Sequence, residues 1–437
     1  MLDQRVLLSS LGPCRTRLGR LRSLPHYGIH DHVMVSGPAA QSGGDGVGVL
    51  SPEWVVDPFP QYARLRNRGP VLAGDRWLVL RHKDVMRAVA APATFSSDHS
   101  NSNNPALSQT PIIFEDPPWH TKHRRLVNTA FTPGRVAALE DWVVATAVRM
   151  LGELGSGEVE MIAGFCDRLP MAVIGRMMGV EEADLAQLKE WSDQRTYLIG
   201  ASGSGAETDP ALADSLSHAR AANSALVEYF VMEADRRRAD PRPDLINALV
   251  QAEVDGEHLT EEQVSGICAL LLVAGNVTTT NLLGNLFNLL AHRPDWVDRL
   301  RADRSLVEAV VEEVLRFESP VQWMARITTR QVTLGGTTIP AGAQVLLCYG
   351  AANRDPEAFA DPDDFEPSRA RRAHLAFGHG AHFCIGAPLA RLEARISLNA
   401  VLDRYTSIKP GITPSVRIAA AATHCGFQRL PLLLHRR

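Results

Sequence analysis

Cys384 stands in the run Phe377-Gly-His-Gly-Ala-His-Phe-Cys-Ile-Gly386. A single cysteine among glycines, with a histidine two residues before it and a helical pattern after it, can hold one thiolate bare and aim it at a metal. Gly378 and Gly380 allow tight backbone turns and close approach to a flat cofactor. Gly386 keeps the following segment near the same surface. From Ile385 the pattern reads as a helix, with Pro388 near its start and Leu389, Leu392, Ile396 and Val401 on one face. Amides at the start of such a helix lower the pKa of the thiol. The bland alternative is a small buried cysteine with no chemistry.

Three further groups carry residue types suited to chemistry. Glu313 and Arg316 lie three apart on one helical stretch, where their side chains can meet, and Arg369 follows downstream. Such a spacing commonly marks a solvated surface pair. His120 and Arg124 lie four apart, on one face of a basic segment. Ala274-Gly-Asn-Val-Thr278-Thr279 interrupts an uncharged apolar stretch with residues that favour a helix poorly. One reading is a packing notch, its hydroxyls bonded back to their own helix.

The cysteine run resembles the haem-binding loop of the cytochrome P450 family: Phe, two residues, Gly, one residue, His or Arg, one residue, Cys, one residue, Gly. Phe377, Gly380, His382, Cys384 and Gly386 meet every position. The resemblance covers the chain from about residue 57 to its end. It implies haem b, with the Cys384 thiolate as iron ligand. It assigns His120, Arg124, Arg326 and His382 to the haem propionates, and Glu313, Arg316 and Arg369 to a structural network. It also implies that the helix opens over the haem at Ala274 and Gly275, with Thr278 as the hydroxyl that steadies bound oxygen. One departure stands out: the residue before that threonine is commonly Asp or Glu in the family, and here it is Val277. Valine cannot relay a proton, so ordered water with Thr278, another acid, or the substrate must supply the route.

The implied activity is a monooxygenase that inserts one atom of dioxygen into an apolar small molecule, most simply as hydroxylation. Epoxidation, oxidative coupling and a non-catalytic haem sensor are the alternatives. No flavin or iron–sulfur segment accompanies the loop, so the implied electron source is a ferredoxin with its NAD(P)H-dependent reductase. Arg369, Arg371, Arg372 and Arg391, with Lys122, His123 and Arg125, form the expected basic docking patch. Ile112, Ile113, Val273, Val321 and Met324 imply an apolar substrate pocket.

These residues need elements to position them. Amphipathic helices are predicted over 139–154, 170–178, 212–236 and 245–253, a short helix over 59–68, and a strand over 77–80. Residues 263–291 carry no charge and form a central helix buried all round, long enough to span a membrane but rich in Thr and Asn. β-Structure is expected to return only between 327 and 347. The fold class is mainly α with small β-sheets: the cytochrome P450 fold, one large domain with a buried central helix over the haem.

With 45% hydrophobic residues, 437 residues can bury a large core. Lys and Arg total 45 against 49 Asp and Glu, which gives no support to a nucleic-acid partner. Six scattered cysteines without CxxC spacing read as reduced thiols. Residues 1–48 read as a disordered extension of a cytoplasmic protein, and 49–437 as the haem domain. The arginines at 5, 15, 17, 20 and 22 give a mitochondrial address as the alternative.

Overall fold

The computed structural model describes residues 54, 56–100, 110–201, 210–254, 256–369, 373–418 and 423–437. The readings of residues 1–48, and of Arg371 and Arg372, lie outside them.

The uncharged stretch forms the helix Glu261–Ala291. Thr260 and Gln263 cap it reciprocally, and Glu261 and Glu262 complement the positive end of its dipole. Its apolar length satisfies the composition of a membrane span, yet helices Arg168–Met178, Leu185–Ala201, Pro210–Ala239 and Val307–Phe317 pack around it. Its Asn side chains meet protein: Asn285 Nδ2 donates to the carbonyls of Glu318 at 3.1 Å and Cys425 at 3.0 Å. Such bonded amides fit a protein interior, where buried polar groups are mostly paired.

The helix after the cysteine runs Ala387–Arg404, two residues later than its periodicity begins, because Gly386 caps it and Pro388 occupies its first turn. Leu389, Leu392, Ile396 and Val401 are buried on it. The predicted helices appear as Phe59–Arg66, Glu140–Leu154, Arg168–Met178, Pro210–Ala239 and Leu245–Val250.

A five-stranded sheet runs Val71–Ala73, Arg76–Val79, Gln344–Leu347, Met324–Thr328, Phe95–Ser96 in spatial order. Val345 pairs with Arg326, which fixes where that arginine emerges. Met324 and Arg326, two apart, share one strand face. The expectation that, after the strand at 77–80, β-structure returns only between 327 and 347 is corrected. Strands Tyr405–Pro410, Pro431–Arg436 and Gly157–Glu160 form a second sheet, and Val416–Arg417 pairs with Phe427–Arg429. The Leu432-Leu433-Leu434 run hid the first of these, since a continuous apolar run carries no strand period.

Candidate active site

The cysteine loop is shaped by two left-handed glycines, Gly378 at φ 66° and Gly380 at φ 70°, where a side chain would be strained. Phe383 N–H donates to Gly380 carbonyl at 3.0 Å, and Cys384 N–H to Phe377 carbonyl at 2.9 Å. Gly386 has an ordinary φ of −81°, and a Cβ there would stand at ordinary contact distance, 3.9 Å, from Cys384 Sγ. Burial pushes the Cys384 thiol up, while N–H groups of Gly386 and Ala387 and the charges of Arg124 and Arg391 oppose it. The helix start therefore acts in the expected direction, but burial outweighs it. A metal ion at the sulfur would reverse that balance outright.

Cys384 borders a cavity that also touches Ile112, Ile113, Ala274, Gly275 and Thr278. Val321, Met324, Arg326, Phe377, Gly378 and Gly386 line it as well. Ala274 is exposed to this space although most of its helix is buried. Val273 is not in the lining: at about 100° per residue it turns away from Ala274, into the main core. Gly380 also lies outside the lining, its outward face against the Val89 carbonyl.

Four basic side chains converge at one side. Arg124 donates to the carbonyl of Phe383. His120 and His382 pack ring to ring at 4.0 Å, and His382 Nε2 lies 3.2 Å from Ser97 Oγ. His120 Nε2 is buried with no hydrogen-bond partner among the described residues. Arg326 is 5% exposed, bonds the Ala325 carbonyl at 2.7 Å, and has no carboxylate partner among the described residues. Burial, then the charges of His120, Arg326 and Arg124, push His382 down to about 3. His120 is lowered by burial and Arg124, and Arg124 by burial. A buried cation such as Arg326 is costly without an anion, and neutral imidazoles can donate hydrogen bonds to one. The donor set therefore suits a bound anion whose body reaches the sulfur through apolar walls.

The central helix is continuous through Gly275-Asn-Val-Thr278 and does not open as the resemblance implied. Thr278 Oγ1 donates to its own helix, to Ala274 carbonyl at 2.8 Å. A Cβ on Gly275 would come within 3.2 Å of Ile174, so this glycine lets two helices approach closely.

Away from the cavity, Glu313 and Arg316 form a bidentate pair at 2.8 and 2.7 Å, 5% and 2% exposed. Arg369 reaches Glu313 Oε1 at 3.4 Å. This is a buried network, not the solvated surface pair that the spacing also permitted.

The 211–416 stretch matches the family model described as Cytochrome P450. "Cytochrome P450 109" of Bacillus spizizenii is 39% identical over 380 residues, 86% of this chain and 91% of its own length. The chain belongs to the cytochrome P450 family. It is thus a monooxygenase of a haem-iron family, and the cavity suits haem: an apolar slot, a sulfur at its floor, and donors that lack a dianion. A second P450 relative, "Cyclomarin C epoxidase CymV" of Salinispora arenicola, is 39% identical over 341 residues, 76% of this chain and 84% of its own. Among solved P450 structures, Bacillus megaterium CYP109E1 in complex with testosterone superposes with TM-score 0.81 at 34% identity, covering 88% of this chain and 99% of that one.

Two cavity residues of this P450 escaped sequence reasoning. Tyr349 is 5% exposed, with its hydroxyl 3.6 Å from where a Cβ on Gly378 would stand. Glu393 is 1% exposed. The second had a sequence signal: it lies four residues after Leu389 and three before Ile396, an acid within an apolar stripe.

The basic docking patch is corrected in part. His123 is 2% exposed and bonded to Glu115 at 2.8 Å. Arg369 is turned inward to Glu313 and backbone carbonyls. Arg391 is paired with Glu312 at 2.6 and 2.9 Å. Arg125 remains exposed on the helix Trp119–Asn128.

Proposed function

We propose that this P450 uses haem b, held by the Cys384 thiolate, to hydroxylate an apolar small molecule in the cytoplasm. A ferredoxin with its NAD(P)H-dependent reductase supplies the electrons. The observation that carries the reading is the convergence of Arg124, Arg326 and His382, with His120 stacked on His382 and no carboxylate partner among the described residues, on the cavity that Cys384 borders. Thiolate-ligated haem iron supplies the oxygen chemistry when bound, activating dioxygen with two electrons and two protons so that one oxygen enters substrate and the other leaves as water.

The chain's own residues bind, orient and exclude water. His120, Arg124, Arg326 and His382 take the propionates by charge-assisted hydrogen bonds. Gly378, Gly380 and Gly386 let backbone approach the ring, and Phe377 closes the sulfur side. Ala274 and Gly275 leave room over the ring, and Thr278 orients oxygen and water. Glu313, Arg316 and Arg369 hold the scaffold. Ile112, Ile113, Val321 and Met324 select an apolar substrate, and the testosterone bound by CYP109E1 supports a steroid-like size. The bacterial origin of the relatives favours the cytoplasm over a mitochondrial address.

Epoxidation is the second reading, favoured by the named activity of the Salinispora relative. The test is a compound-library screen for the spin-state change caused by displacing water from haem iron, with product analysis of each hit. Cys384→Ser should abolish the red-shifted carbon monoxide spectrum of thiolate-ligated ferrous haem, since serine is a poor substitute for a soft ligand. A retained spectrum would overturn the assignment of Cys384.

A further inference from the structure

We infer that Arg195 anchors an anionic group of the substrate, so that the molecule this P450 takes is an apolar body carrying one acid group, most simply a carboxylate. The inference deepens the haem monooxygenase reading above and rests on it. Arg195 is on the helix Leu185–Ala201 and is 0% exposed. Its Nη1 donates to Asn223 Oδ1 and its Nη2 to Thr110 Oγ1 at 2.5 Å, while Nε is buried with no hydrogen-bond partner among the described residues. No charged group among the described residues acts on it. The nearest acid along the chain, Asp193, is turned to Lys189 at 2.6 Å.

Burial pushes the guanidinium down to about 10, which leaves it charged at neutral pH. A buried charge without an opposite one is costly, and a leucine in its place would leave none. That charge matches an anion supplied from outside the chain. Nε and Nη2 form the edge of a guanidinium that takes a carboxylate in two parallel bonds. On Arg195 one half of that edge is unpartnered and the other meets a neutral hydroxyl.

The guanidinium stands close behind the wall of the reaction cavity. Thr110, its partner, is two residues before Ile112, which lines the cavity. Ser192, one helical turn before Arg195, accepts from Asn276 Nδ2 at 3.3 Å, and Asn276 adjoins Gly275 of the lining. The loop between arginine and cavity is strained. Ile113 N–H donates to Pro111 carbonyl at 2.8 Å around Ile112 at φ 68°, a γ-turn that a β-branched residue adopts only at a cost. Moving this turn releases the strain and opens a way to Arg195 from a cavity that Ile113, Ile174 and Leu271 keep apolar. Arg195 is not one of the propionate donors, so its charge is left for the substrate.

The test uses the haem-loaded full chain, with dodecanoate, palmitate and lithocholate as probes, each beside its methyl ester. Calorimetric titration, which needs no turnover, should show at least one acid bound roughly tenfold or more tighter than its ester by wild type. That preference should vanish in Arg195→Gln and survive in part in Arg195→Lys, which keeps the charge but not the fork. Ligand-free Arg195→Gln should melt no lower than wild type, because it removes an uncompensated buried charge and keeps an amide donor. A melting temperature several degrees below wild type would assign Arg195 to the scaffold and overturn the inference. So would the lack of an acid preference in every wild-type pair, or an equal preference in wild type and Arg195→Gln. A wild type that binds the acids but lacks the thiolate carbon monoxide spectrum would instead overturn the haem reading.

Discussion

Glu313→Ala should destabilise the fold by about 3 kcal/mol, the lower end for breaking a buried pair. The substitution strands Arg316, 2% exposed, which loses both of its carboxylate bonds. Arg316 keeps three backbone carbonyls, of Asn353 at 2.9 Å, Pro362 at 2.8 Å and Asp364 at 3.0 Å. Those retained bonds place the cost at the low end. Arg369 likewise keeps the carbonyls of Asp361 and Asp364. The N–H of Glu366 also loses Glu313, but it lies at the surface, where water replaces the bond at little cost. With unfolding entropy of about 2 cal/mol/K per residue, the melting temperature should fall by roughly 4 °C. Equilibrium urea unfolding, followed by circular dichroism, measures the free energy directly. The double variant Glu313→Leu with Arg316→Leu should lose less than Glu313→Ala, because it leaves no buried charge. A Glu313→Ala protein within about 1 kcal/mol of wild type would refute the reasoning, since a stranded buried guanidinium cannot be that cheap.

Arg326→Leu should release haem faster, by roughly tenfold or more if one charge-assisted bond to a propionate is lost; transfer to an apo-haem acceptor measures it, and an unchanged rate would remove Arg326 from the propionate site. Glu312 provides a pH test. Burial pushes its carboxyl up, but hydrogen bonds and charges from Arg391 and His374 outweigh that and hold it at about 2, against an ordinary 4.5. Its folded pKa is depressed, so its contribution is present above the unfolded value and is lost as pH falls from 4.5 through about 2. Wild type should therefore lose stability to Glu312→Gln across that window, and urea midpoints that stay parallel down to the lower limit would contradict it. Arg125→Glu should slow reduction by a ferredoxin at low ionic strength, with the deficit shrinking as salt screens the encounter; equal rates at low salt would exclude this face.

What sequence alone determined is local. The cysteine loop was legible because glycine at Gly378 and Gly380 encodes a backbone conformation by itself, and because its motif has fixed spacing. The central helix was legible because twenty-nine residues without charge, from 263 to 291, have few other places to go than an interior. Glu313 and Arg316 could be paired because three residues is one helical neighbour distance. Tertiary structure decided which side of each element faces what. It turned Val273 into the core while Ala274 met the cavity, and drew His123 and Arg369 out of the basic patch into bonded interiors. It kept the helix closed at Gly275, where Ile174 packs, and added the C-terminal strand Pro431–Arg436, one of whose pairing partners lies hundreds of residues away at 157–160. It also left Glu393 Oε2 buried without a hydrogen-bond partner among the described residues. Spacing along the chain sets backbone geometry within a turn or two, but burial, and whether a charge finds an opposite one, depend on segments brought together only when the chain packs.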